Sequence, residues 1–199
     1  MTKSHRKRPA ASSTPHYDPD HNHLWISQLT VQGYRFKPFD PIQSLTLSSV
    51  SFTFFDSHPP QRSLCNLIPT VRTLNLVSIT TRPDSLFRFL SAFPILQEVT
   101  IHAPHWIETP DHDHNIGDLA ISCGTLRISE FDDLSNSFLS LLGSKSRGYE
   151  KVALIKCNFH DPLPLQMFIS HAGKTIRRLQ IEVSHHGEFD LHLLARSWF

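Results

Sequence analysis

The sequence predicts an α/β solenoid: a curved, mostly parallel sheet of six or seven strands, with short helices or loops on its convex side. Three observations lead there. First, an apolar triple at n−5, n−2 and n recurs as Ile42/Leu45/Leu47, Val71/Leu74/Leu76, Leu96/Val99/Ile101, Cys123/Leu126/Ile128, Tyr149/Val152/Leu154 and Ile176/Leu179/Ile181. Second, of the positions n−4, n−3, n−1, n+1 and n+2, only Val77, Ala103, Ala153, Ile155 and Val183 are apolar. Third, the anchors at 47, 76, 101, 128, 154 and 181 lie 29, 25, 27, 26 and 27 residues apart, the range in which stacked repeats occur.

Each element follows from the local pattern. Residues 1–24 are polar and carry Pro9, Pro15 and Pro19. Too little apolar surface is present to offset the entropy of ordering, which predicts a disordered tail. The repeat domain is expected to span 25–199. Within it, residues 25–41 form an N-terminal cap in which Ile26/Leu29/Val31 takes the same triple. In each triple, n−2 and n point one strand face inward while n−1 and n+1 point out.

Between triples the period becomes helical. Leu86, Phe89, Leu90 and Phe93 share a face within residues 83–93. Phe138, Leu139, Leu141 and Leu142 face inward in the same way before Gly143, which reads as the helix end. Asp161 and Pro162 read as N-cap and N1 of a helix with Leu165, Phe168 and Ile169 inward, ended by Gly173. A short helix is expected around Leu64 to Ile68, stopped by Pro69, and the polar block from Pro104 to Gly117 reads as loops. The chain ends on Ala195-Arg-Ser-Trp198-Phe199, apolar where a polar cap belongs. A missing C-terminal repeat or an oligomer contact would account for it.

The units Tyr149-x-x-Val152-x-Leu154-x-x-Cys157-x-Phe159 and Ile42-x-x-Leu45-x-Leu47-x-x-Val50-x-Phe52 resemble the leucine-rich repeat. The likeness runs over residues 26–184. Other units depart from it, with Pro104 and Ser184 standing where Val50 and Cys157 do, and Asp133 in the place of Phe159; irregular turns are expected there. The phrase Leu86-Phe-Arg-Phe-Leu-Ser-Ala-Phe-Pro-Ile-Leu-Gln-Glu-Val-Thr-Ile101 is similar to the divergent repeats of fungal F-box-like proteins. In that family an F-box docks a ubiquitin-ligase scaffold while the repeats hold a substrate. Residues 1–24 lack the Leu-Pro-x-Glu-type opening of an F-box, so the resemblance covers the repeat part alone.

Composition narrows the function classes. A net charge of +1 gives no global field to recruit nucleic acid or an anionic membrane. The exception is local: Lys3, Arg6, Lys7 and Arg8 precede the first acid, Asp18. This cluster reads as a solvated basic tail, with a nuclear localisation signal as the alternative. Cys65, Cys123 and Cys157 form no CxxC pair, and the last two fall on or near triples, which favours core thiols in a reducing compartment. No transmembrane stretch or secretory signal is evident, so an intracellular location, cytoplasm or nucleus, is expected.

Candidate chemistry is sparse. Ala172-Gly173-Lys174-Thr175 suggests a phosphate loop, but Phe168 stands where such a loop needs glycine. A helix C-cap explains the segment better. His102, His105, His112 and His114 gather with Asp111 and Asp113. Without a nearby cysteine they read as solvated loop residues and not as zinc ligands. No nucleophile motif appears, so the chain is read as non-catalytic, with no cofactor or metal.

The positive expectation is a protein-binding face made of outward strand residues: Arg72, Asn75, Gln97, Thr100, His102, Arg127, Glu130, Lys156, Arg177, Gln180 and Glu182. Their mixed charge suits a protein partner better than a phosphate backbone. The resemblance makes that partner a ubiquitin-ligase substrate. Two alternatives stand beside it: a nuclear factor whose basic tail contacts nucleic acid or import machinery, and a truncated remnant without separate activity.

Overall fold

In a computed structural model, residues 16–18, 23–27, 42–52, 68–107, 119–131, 136–145, 148–157 and 163–183 are described below. In chain order they form strands β1 (His16–Asp18), β2 (His23–Ser27), β3 (Ser44–Ser48), β4 (Thr73–Val77) and β5 (Thr80–Thr81), then helix α1 (Pro83–Ser91). Next come β6 (Glu98–His102), β7 (His105–Trp106), β8 (Thr125–Phe131), helix α2 (Asn136–Lys145), β9 (Lys151–Cys157), helix α3 (Leu163–Ala172) and β10 (Arg178–Val183).

The main sheet has the order β1-β2-β3-β4-β6-β8-β9-β10. Among the described residues six of its neighbouring pairs are parallel, and only β1 with β2 is antiparallel. The fold is thus α/β with a mostly parallel sheet. That sheet is open and uncurled, where the repeat pattern predicts a curved one. Curvature needs helices about 10 Å apart standing opposite strands about 4.8 Å apart. Among the described residues helices follow only three of the units.

The register is the one the triples dictate. Leu45, Leu74, Val99, Leu126, Val152 and Leu179 align strand to strand, and so do Leu47, Leu76, Ile101, Ile128, Leu154 and Ile181. In the six triples from Ile42 to Ile181 all residues are buried except Leu179 and Ile181, which are half-buried against the core. Before each strand, one carbonyl ties down the next unit. Gln43 O accepts from the N–H groups of Arg72 and Thr73, Arg72 O from those of Gln97 and Glu98, and Glu150 O from those of Arg177 and Arg178.

After each strand the chain turns at n+2. Ser49, Ser78, Ala103, Glu130 and Lys156 all have positive φ, between 46° and 55°. None is glycine, so each holds a conformation that costs an L-residue roughly 1–2 kcal/mol. The turn brings n+3 back inward: Val50, Ile79, Pro104 and Cys157 are all buried. Beyond it a second narrow parallel ladder forms, with Ser51 bridged to Thr80 and Thr80 to His105. The unit carrying Pro104 therefore turns like its neighbours, a correction to the irregular turn expected there. Proline is tolerated because the ladder uses the N–H of His105, which donates to Ile79 O at 2.7 Å. His105–Trp106 is likewise strand, not loop.

The helices close the other side of the core. In α1, Pro83 occupies the first turn, where its missing N–H is no loss. Leu86, Phe87, Phe89 and Leu90 are buried, and Phe89 packs between Phe52 and Phe93 at ring-centre distances of 4.6 and 5.2 Å. In α3, Leu165, Phe168, Ile169 and Ala172 point inward. Helix α2 runs through Gly143 to Lys145, so Gly143 does not end it. It lies where α3 comes closest: a Cβ there would stand 2.9 Å from Phe168 Cα.

The N-terminal phase also differs from expectation. In β2, Leu24 and Ile26 align with Leu45 and Leu47, so Ile26 takes position n and not n−5. Strand β1 and the start of β2 fall inside the stretch assigned to the tail. The rest of residues 1–24, the helix expected around Leu64 to Ile68 as far as residue 67, Asp161, Pro162 and residues 184–199 lie outside the described residues.

Candidate functional site

The outward face of the main sheet is built from the positions that alternate with the core ladders. Position n−3 carries Ser44, Thr73, Glu98, Thr125, Lys151 and Arg178. Position n−1 carries Thr46, Asn75, Thr100, Arg127, Ala153 and Gln180. Parallel pairing holds each row in line, about 4.8 Å from one strand to the next. Polar side chains meet across it: Asn75 Nδ2 donates to Thr46 Oγ1 at 3.3 Å.

The eleven predicted face residues separate into three groups. Asn75, Thr100, Arg127 and Gln180 lie in the n−1 row, in the middle of the sheet. Arg72, Gln97 and Arg177 precede the strands at n−4 and are exposed at the lower rim. His102 and Glu182 at n+1, with Glu130 and Lys156 at the n+2 turns, form the upper rim.

At that rim a small cluster assembles. His102 Nδ1 lies 2.9 Å from Ser129 Oγ, His102 Nε2 is 3.9 Å from Glu130 Oε2, and Lys156 Nζ is 3.9 Å from Glu130 Oε1. Serine, histidine and carboxylate thus stand together, yet the His102 and Glu130 side chains are 43% and 46% exposed and their separation exceeds hydrogen-bond length. An activated nucleophile needs a base held by a third group and preorganised oxyanion donors in a water-poor site. This solvated cluster is suited to polar contacts.

Sequence reasoning missed Ser129, Lys151 and Arg178. The signal was available, since the two-residue period that places n−1 outward places n−3 (Lys151, Arg178) and n+1 (Ser129) there as well. His112, His114, Asp111 and Asp113 lie outside the described residues. Among the described residues no three metal-ligating side chains converge.

Elsewhere the functional groups serve the fold. Thr175 Oγ1 donates to Ala172 O at 3.0 Å and accepts from the Tyr149 N–H at 3.1 Å, while Lys174 is exposed. The Gly-Lys-Thr segment is therefore a helix end bound to the start of the preceding unit. Burial pushes the Cys123 thiol up to about 12. Burial, with the Glu182 carboxylate adding to it, pushes Cys157 up to about 12. Both stay protonated thiols, poor nucleophiles in the core.

Among the described residues no helix is long and apolar enough to cross a membrane. Comparison with protein-family models, with curated proteins and with solved structures finds no match to this chain.

Proposed function

We propose that this chain is a non-catalytic protein-binding array of the leucine-rich-repeat kind, its units stacked as a solenoid and its outward sheet face taking a protein partner. The observation that carries the reading is the aligned polar face itself. Its rows are held in strand register, and its exposed cations Arg72, Arg127 and Arg177 have no carboxylate partner among the described residues. A rigid sheet presents such groups with little ordering cost on binding. A substrate-recognition role in a ubiquitin ligase is the form that the family resemblance gives to this binding.

A photo-crosslinking residue at Thr100 of the full chain, used in extract from its native cells, tests the face. Protein adducts are expected, and R127E/R177E should abolish them without lowering the melting temperature. Adducts unchanged by both reversals would remove this face as the binding site.

A further inference from the structure

We infer that the C-terminal half of the outward face is a docking site for an acidic peptide segment, seated over Ala153 between Arg127, Lys151 and Arg178. The inference rests on the binding reading above and gives the partner its chemistry.

Charge divides along the sheet. In the n−3 and n−1 rows of the first three repeat units stand Ser44, Thr46, Thr73, Asn75, Glu98 and Thr100, with no cation and one carboxylate. In the last three stand Thr125, Arg127, Lys151, Ala153, Arg178 and Gln180, with three cations and no carboxylate. Lys151 and Arg178 are direct register partners on β9 and β10. Like charges placed opposite each other weaken a sheet. Neither has an ion-pair partner among the described residues, and both are exposed. Folding gains nothing from that juxtaposition, whereas an incoming carboxylate would relieve it.

The shape agrees with the charge. Ala153 sits in the n−1 row between Arg127 and Gln180, and its short side chain leaves room between the long ones. Exposed Glu150 lies beside Lys151 at the lower rim, and exposed Glu182 at n+1 bounds the patch above. A nucleic-acid strand, with a phosphate every ~3.4 Å, would bring charge against these carboxylates. A peptide with a few spaced carboxylates would avoid them.

The test is fluorescence anisotropy on the full chain carrying K3A/R6A/K7A/R8A, so that the N-terminal cations do not contribute. Three probes are used: a short peptide alternating Glu and Ser, its Gln-for-Glu counterpart, and a single-stranded thymidine oligonucleotide. The Glu peptide should bind and the Gln peptide should not. K151A/R178A should weaken the Glu peptide about tenfold without lowering the melting temperature, and R88A, in helix α1 away from the sheet face, should leave it unchanged. Equal binding of the Gln peptide, indifference to K151A/R178A, or tighter binding of the oligonucleotide through the same residues would overturn the inference. If the peptide fails while Thr100 adducts are still lost in R127E/R177E, the acidic partner falls and the binding face stands. If the adducts too are insensitive, both fall.

Discussion

Gly143 and Phe168 bring α2 and α3 into backbone contact: a Cβ on the glycine would stand 2.9 Å from Phe168 Cα and 3.6 Å from Met167 O. No flexible side-chain end lies in the way that could move aside. The helices approach this closely because residue 143 has no side chain.

Gly143→Ala should therefore destabilise the chain. Within a helix alanine is favoured over glycine by ~1 kcal/mol, but overpacking against backbone costs about 1–3 kcal/mol. Urea unfolding should show a lower midpoint. A raised midpoint would mean that the two helices are free to separate.

Tyr149 presents the opposite case. Its side chain is fully buried and packs on Phe168 at 6.0 Å between ring centres, yet its hydroxyl has no hydrogen-bond partner among the described residues. A buried polar group without a partner costs ~1–3 kcal/mol. Tyr149→Phe should leave the melting temperature unchanged or raise it, whereas Tyr149→Ala should lose ~3–5 kcal/mol. A clear loss with phenylalanine would show that the hydroxyl is bonded.

The turn at Ala103, with φ of 46°, offers a gain of stability. Glycine removes a left-handed penalty of ~1–2 kcal/mol and adds a backbone entropy cost of ~0.5–1 kcal/mol. Ala103→Gly should raise stability by up to ~1.5 kcal/mol in urea. Ala103→Val, β-branched, should lower it. The reverse ranking would refute the strained turn.

The buried thiols set an alkaline limit. Cys123 and Cys157 ionise in the unfolded chain near 9.0 but in the folded chain only at about 12. Between those values the unfolded state binds fewer protons, so stability falls as pH rises. Their contribution is present in full below pH 9. Above pH 10 Tyr149, pushed up by burial and then by Cys123, adds a loss of the same sign. Urea midpoints should decline from pH 9 upward, and C123S/C157S should flatten the decline between pH 9 and 10. An unchanged slope would show that the thiols ionise freely when folded.

Much of the core was legible because burial imposes a strict period. Leu45, Leu74 and Val99 had to be apolar to share one face, and that requirement is written in the residues. The turns were not legible. Ser49, Ser78, Glu130 and Lys156 are ordinary surface residues, and nothing in their chemistry announces a left-handed backbone. The N-terminal phase slipped because Leu24 and Ile26 fit the n−2 and n spacing as well as Leu29 and Val31 do. Only His21 at n−5 spoke against them, and an end unit has less core to fill. By local propensity Gly143 reads as a helix stop, because close helix approach is a tertiary fact that propensity does not carry. The candidate face was half legible: alternation named Arg127 and Gln180, but pairing across strands was needed to set Lys151 opposite Arg178.

Among the described strands of the main sheet none sits between two that precede it in the chain; spatial order follows chain order from β1 through β4, β6, β8 and β9 to β10. A chain emerging from the ribosome amino end first can therefore add each strand to an edge already formed. No closed pair has to reopen, and no strand waits for a partner synthesised much later. Parallel sheets are ordinarily slow to assemble because their pairings are distant in sequence. Here every partner arrives within one unit's length of synthesis, and the growing edge of the sheet keeps pace with the growing chain.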